Sequence, residues 1–166
     1  SKGHWRHLDA YDVMSMPDWW EYSYFYNNTV YVDASIEPRF TVAPSAEGVL
    51  VANNIFHLVR PGRRVASDQS KAEQGERPPV ERAFIGANLY LRADNWPAGL
   101  GFAETEPIVG DAGFAQPGGL ALTDYVPANT ALVRDRGVVV QPLPGDQVGL
   151  ALGLAVAEDI LGRPIK

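Results

Sequence analysis

Short apolar runs of four to eight residues, each ended by proline, glycine or asparagine, recur along this chain, and long amphipathic helical windows are nearly absent. Runs of that length are too short for ordinary helices, and turn-forming residues at both ends mark strands joined by tight connections. The pattern predicts a mainly β protein with little helix, built as an antiparallel sandwich or a barrel-like domain. At 166 residues one domain is enough, since a chain of this size buries about two-thirds of its unfolded surface. Residues 1–33 read as an aromatic N-terminal arm with the first strands. Residues 34–166 read as a single β-rich domain with a long surface loop at 60–79.

Within that frame, EYSYFYNNTVYVD at 21–33 sets Tyr22, Tyr24 and Tyr26 on one face, breaks at Asn27-Asn28 and resumes with Val30 and Val32, as in a hairpin or bulged strand. The runs at 49–51 and 55–59 flank Asn53-Asn54, and asparagine tolerates the left-handed conformation of tight turns, which predicts a second hairpin. Residues 60–79 are polar and charged with no apolar periodicity. A strand is expected at 80–92, an irregular glycine- and proline-rich stretch at 95–119, and three more strands at 120–125, 131–134 and 138–141. Asp135-Arg136-Gly137 would join the last two as a hairpin loop. At 148–161, large residues alternating with glycine and alanine suggest a strand running into a helical turn capped by Gly162. No internal repeat is visible.

The aromatic residues are distributed unevenly. Trp5, Tyr11, Trp19, Trp20, Tyr22, Tyr24, Phe25, Tyr26 and Tyr31 are nine of 17 aromatics, all within the first 31 positions. Residues 19–26 carry rings on both faces of an extended segment, and a two-layer domain buries only one of them in its own core. The other face needs a neighbour, either another part of the chain or a partner that Trp19, Trp20, Tyr22, Tyr24 and Tyr26 would anchor. The same rings also suit stacking on a sugar, which keeps a carbohydrate-binding or glycan-active protein as an alternative.

Signals for catalysis are sparse. His4, His7, Asp9 and Asp12 are the one cluster of metal-type ligands; on a helix the two histidines would share a face, so His4 and His7 are candidate metal ligands, with a solvated pair as the ordinary reading and a small metal-dependent enzyme as the reading they would support. His57 alternates with Phe56 and Leu58 and faces away from them. No serine lies in G-x-S-x-G, and Gly99-Leu100-Gly101 lacks the third glycine and the strand–turn–helix context of a dinucleotide site. Glu104 with Glu106, and Glu158 with Asp159, are acidic pairs of the kind glycosidases use, although spacing in sequence does not set the distance between carboxyls. No catalytic residue and no cofactor is assigned.

With 20 acidic against 14 basic side chains the net charge is −6, which repels phosphate backbones and makes nucleic acid an unsuitable partner. No run approaches the ~20 apolar residues of a membrane helix, and the first residues lack the apolar core of a signal peptide. Without cysteine there are no disulfides or thiolate metal sites. The chain reads as soluble, with no compartment indicated.

Val126-Pro127-Ala128, Ala131-Leu132-Val133, Arg134-Asp135-Arg136-Gly137, Val138-Val139-Val140 and Val148-Gly149-Leu150-Ala151-Leu152 follow one another as proline turn, strand, charged turn, strand and glycine-led strand. This order resembles that of tailed-phage head decoration proteins, across roughly a quarter of the chain. The resemblance implies a mostly β virion subunit, oligomeric on a capsid, reinforcing it through an extended arm without catalysis. The sequence therefore points to a structural or assembly protein whose partners are other protein subunits, including copies of itself.

Overall fold

The computed structural model of the chain describes residues 10–16, 21–43, 46–65, 82–153, 156–159 and 162–164. Its strands run in one direction around three faces. β1 (Ala10–Met16), β2 (Glu21–Tyr26) and β3 (Thr29–Val32) make a first coil, one strand per face. β4 (Glu37–Val42), β5 (Glu47–Ala52) and β6 (Ile55–Leu58) make a second coil, and β7 (Arg63–Arg64), β8 (Phe84–Gly86) and β9 (Leu89–Tyr90) a third. β10 (Ile108–Val109) adds to the third face only. Stacking gives sheets β1-β4-β7, β2-β5-β8 and β3-β6-β9-β10, with every strand pair parallel. This is a parallel β-solenoid, which corrects the expected antiparallel sandwich or barrel.

The expected hairpins fail for a specific backbone reason. The type I′ hairpin turn that an Asn-Asn pair would make needs positive φ at both central residues, the type II′ turn having glycine at the first. At each corner between the second and third faces only the first residue has it: Asn27 (φ 56°), Asn53 (φ 55°) and Ala87 (φ 57°). A single left-handed residue bends the chain onto the next face without reversing it. The strand expected at 80–92 is likewise two strands, β8 and β9, separated by such a corner. Arg63–Arg64 place a short strand inside the expected loop at 60–79, whose residues 66–79 lie outside the described residues.

A repeat is present after all. Glu21 pairs with Glu47 and Thr29 with Ile55, a step of 26 residues. Leu50 pairs with Phe84 and Ile55 with Leu89, a step of 34. The longer step contains the polar stretch between β7 and β8, and this unequal spacing hides the period.

What recurs at each corner is asparagine. Asn28 donates from its backbone N–H and its Nδ2 to Asn54 Oδ1 (3.0 and 3.1 Å). Asn54 does the same to Asn88 Oδ1 (3.0 and 2.9 Å). Asn88 donates from N and Nδ2 to the two carboxylate oxygens of Glu104 (3.3 and 3.1 Å). The Nδ2 groups also donate to carbonyls at the corner, Tyr26, Phe25 and Val51 respectively. Asn54 and Asn88 are buried and yet fully partnered, which is what makes a polar group tolerable in a core.

Alternation along each strand fills the interior. Phe25, Phe56 and Tyr90 stack through successive coils (centroids 6.1 and 5.4 Å, planes within 14° and 9°), beside Phe40, Val49, Val51, Leu58 and Met14. Burying such a side chain is worth roughly 1.5–3 kcal/mol. Trp96 folds across the third-coil end against Phe40, Phe56 and Tyr90, its Nε1–H donating to the Phe102 carbonyl (3.1 Å).

The outer faces differ. The first carries Glu37, Arg39 and Arg63, with Glu37 paired to both arginines (3.2 and 3.1 Å), and is polar. The other two are covered by the C-terminal third, where none of the three expected strands forms. Leu122–Tyr125 is a 3-10 turn, Thr130–Val133 a one-turn helix α1, and 138–141 has no regular structure. In the tail, Leu150–Leu152 is another 3-10 turn in place of a strand. With one face polar and two covered, the β-sandwich description fails in its layers as well as its strand direction.

Candidate functional site

Tyr22, Tyr24 and Tyr26 point outward from β2, as their spacing predicts, while Phe25 points into the core. The neighbour on their outer face is the chain itself, since Leu143 and Val140 close over them together with Leu50 and Ala52. The Tyr24 hydroxyl donates to Asp146 Oδ2 (2.6 Å) and accepts from the Leu143 N–H (2.8 Å). Burial first, then the bond to Asp146, pushes its pKa up to about 12, and the same bond holds the Asp146 carboxyl below its ordinary range. Gly145 (φ 89°) lets the segment pass over Tyr22, because a Cβ there would stand 2.7 Å from the phenol oxygen. The half-buried tyrosines are thus a seam between coil and wrap. Trp19, Trp20, His4 and His7 lie outside the described residues.

The third face has a different cover. Tyr31 and His57 project from β3 and β6 with rings 5.6 Å apart, and Phe114 (5.3 Å from His57) and Tyr125 (6.1 Å from Tyr31) lie on them. His57 faces away from Phe56 as expected, but it is buried under this cover. Burial lowers its pKa, opposed by Asp111, whose carboxylate lies 4.0 Å from Nδ1. Of the acidic pairs, Glu104 ends the asparagine ladder and accepts from the Tyr90 hydroxyl (3.1 Å), while Glu106 is exposed.

The two covers leave a gap over the first-coil corner. There a groove of about 960 Å³ is bounded by Tyr26, Asn28 and Tyr31 of the corner, Tyr11 of β1, Leu122, Tyr125 and Val126 on one side, and Val156, Glu158, Asp159 and Arg163 on the other. Its geometry is held by side-chain hydroxyls. The Tyr26 hydroxyl accepts from the Val156 N–H (3.2 Å), and the Tyr125 hydroxyl donates to the Gly119 carbonyl (3.0 Å) while accepting from the Gly118 N–H (3.2 Å). Burial, with the Asp33 carboxylate second, raises the Tyr31 phenol above its ordinary pKa, so it is a neutral hydrogen-bonding group. Asp159 accepts from the Arg163 N–H through Oδ1 (2.9 Å). Four tyrosines, amides and a few charges around one concavity suit a ligand with both apolar and hydroxylic surface.

Of the predicted anchors among the described residues, only Tyr26 reaches this groove. Sequence reasoning missed Tyr31 and Tyr125 as a pair because they are far apart along the chain. It also missed the asparagine ladder, whose signal is present as an Asn just before a short β-type run at 28, 54 and 88. Among the described residues no group of three or more metal-type ligands comes together, and no helix is long and apolar enough to cross a membrane. Comparison with protein-family models, curated proteins and solved structures finds no match to the chain.

Proposed function

We propose that the protein is a structural, assembly-forming subunit, a short β-solenoid that docks on neighbouring subunits through its C-terminal wrap. The observation that carries this reading is the apolar surface of that wrap. Leu120 is fully exposed, Val139 is 78% and Leu152 67% exposed, and Leu122, Val126, Val148 and Val156 also face solvent. Large apolar side chains gathered on one part of a soluble domain mark a protein contact. The polar first face offers nothing comparable. The resemblance to head decoration proteins names one setting, a capsid surface; it rests on sequence, because the stretch folds as a helical turn and an irregular strap in place of paired strands.

Light scattering on the full chain tests the reading. A homo-oligomer is expected, reduced to monomer by the triple substitution Val139→Ser, Leu152→Ser, Val156→Ser with unchanged circular dichroism. A wild-type chain that stays monomeric at high concentration and gains no subunit partner would end it.

The groove favours a second reading, glycan binding, because Tyr11, Tyr26, Tyr31 and Tyr125 offer stacking surfaces beside carboxylates and an arginine. Calorimetry against a panel of soluble oligosaccharides, with Tyr31→Ala and Arg163→Ala controls, decides it. Binding weakened in both controls supports the reading, and no heat from any glycan removes it.

A further inference from the structure

The asparagine ladder has a direction. At each step the backbone N–H and Nδ2 of one coil donate to the side-chain oxygen of the next, from Asn28 to Asn54 to Asn88. It closes at Glu104, whose carboxylate only accepts. At the opposite end no group of the described residues donates to Asn28 Oδ1, and both Asn28 Nδ2–H groups are engaged, by Asn54 and the Tyr26 carbonyl. The first coil therefore ends in an open acceptor.

Two other observations coincide there. Among the described residues β1, β2 and β3 are the terminal strands of the three sheets, each with one edge on which no described strand pairs. The core is partly open as well: inward-facing Phe25 and Val30 are only partly buried, although Val13, Met14, Met16 and Val32 of the same coil are buried, whereas Phe56 in the next coil is 0% exposed. An unpaired strand edge is a template for another strand. Here three edges, an apolar opening and one acceptor sit on a single surface.

We infer that the first-coil end is a docking surface for a further parallel coil of polypeptide whose corner residue is asparagine, its N–H and side-chain NH₂ both donating to Asn28 Oδ1. Two copies of this chain do not satisfy it. Stacked end to end they bring Glu104, an acceptor, to Asn28 Oδ1, and stacked first coil to first coil they bring two acceptors together. The ladder thus selects its occupant at the Asn28 end by hydrogen-bond polarity. Asn28 shares a groove with Leu122, Val126 and Val156 of the wrap, so the two proposals are told apart by Val139→Ser with Leu152→Ser, outside that groove, which should break the oligomer and leave the first-coil surface unchanged.

The probe is a synthetic peptide copying residues 21–33, the segment that donates to Asn54 within the chain, added to the full-length protein. Binding by fluorescence anisotropy and slowed amide exchange over residues 21–32 are expected. A peptide with leucine in place of Asn28 should bind about tenfold more weakly, the loss of two hydrogen bonds. In the protein, Asn28→Leu removes the acceptor and should lose peptide binding, the variant being checked for fold by circular dichroism. Equal binding of both peptides, or no protection at the first coil of a folded chain, overturns the inference. So does protection of residues 21–32 that grows with protein concentration in the absence of peptide, which would make a second copy the occupant.

Discussion

The coils and the wrap are built on different principles. In the coils, every strand is paired by backbone bonds, buried aromatics stack from turn to turn, and a polar ladder runs the length of one corner. In the wrap, residues 110–153 have little regular structure and, with Val156, are fastened by a few side chains: Tyr24 on Asp146 and Leu143, Tyr26 on Val156, Phe114 on His57. Neighbouring coils support each other, so damage to one spreads. The wrap makes separate contacts and belongs to the part of a structure that opens first. The candidate groove lies at the junction, walled by both, so its shape depends on the weaker partner.

The largest expected effect tests the coil side. Asn54→Leu keeps volume but strands the Asn28 N–H and the Phe25 carbonyl and takes from Asn88 Oδ1 one of its two donors. Global stability should fall by roughly 3–5 kcal/mol, at about 1–3 per orphaned buried group, as read from denaturant unfolding. A loss under about 1 kcal/mol would mean the ladder is not what couples the coils.

Tyr24→Phe probes the wrap alone. It removes a hydroxyl that bridges Asp146 and Leu143, and a cost of about 1–2 kcal/mol is expected. Hydrogen exchange should accelerate over residues 138–153 and stay unchanged in β4–β6; uniform acceleration would dissolve the distinction between the two regions. The same hydroxyl gives an alkaline limit. Its folded-state pKa, raised from 10.0 to about 12, favours the protonated form in the native protein, so its contribution is complete below pH 10 and lost between 10 and 12. At the acid end, the lowered Asp146 pKa gives stability present above its ordinary value of 3.8 and lost as pH falls through the lower folded value.

His57 should make the cover on the third face sensitive to mild acid. Its folded-state pKa lies below 6.5, so the unfolded chain binds the proton more readily and stability falls as pH drops below 6.5. Protection factors over residues 110–133, corrected for the intrinsic exchange rate, should fall between pH 7.5 and 5, and His57→Gln should flatten that dependence. An unchanged profile in the variant would assign the effect to other groups.

The smallest effect is a gain. Ala87 occupies the left-handed conformation that its counterparts Asn27 and Asn53 adopt more easily. Ala87→Gly should stabilise the third coil by about 0.5–1 kcal/mol in thermal melts. A loss would show that the Ala87 methyl group packs better than its backbone suggests.

Much of the local structure was legible in the residues. The runs at 21–26, 49–52 and 55–58 are strands, and Tyr22, Tyr24 and Tyr26 share a face. Asn27 and Asn53 are left-handed, as turn chemistry predicts. Continuous apolar runs such as 49–52, buried on both faces, are characteristic of parallel sheets and were the available clue to strand direction. The candidate groove was scarcely legible, because its tyrosines come from both ends of the chain.

Between residues 21 and 58 the sequence by itself determined which segments are extended, which side chains point in or out, and where the backbone bends, since these depend on side-chain period and on local φ preferences. Tertiary structure alone decided the rest. Whether a bend at Asn53 makes a hairpin or a corner turns on where the Asn54 side chain finds partners, and those are Asn88 and the Phe25 carbonyl, 34 and 29 residues away. The same holds for the outer tyrosines. Alternation required a neighbour for them, and only the folded chain shows that the first neighbour is its own C-terminal segment, bound through contacts more than a hundred residues distant in sequence.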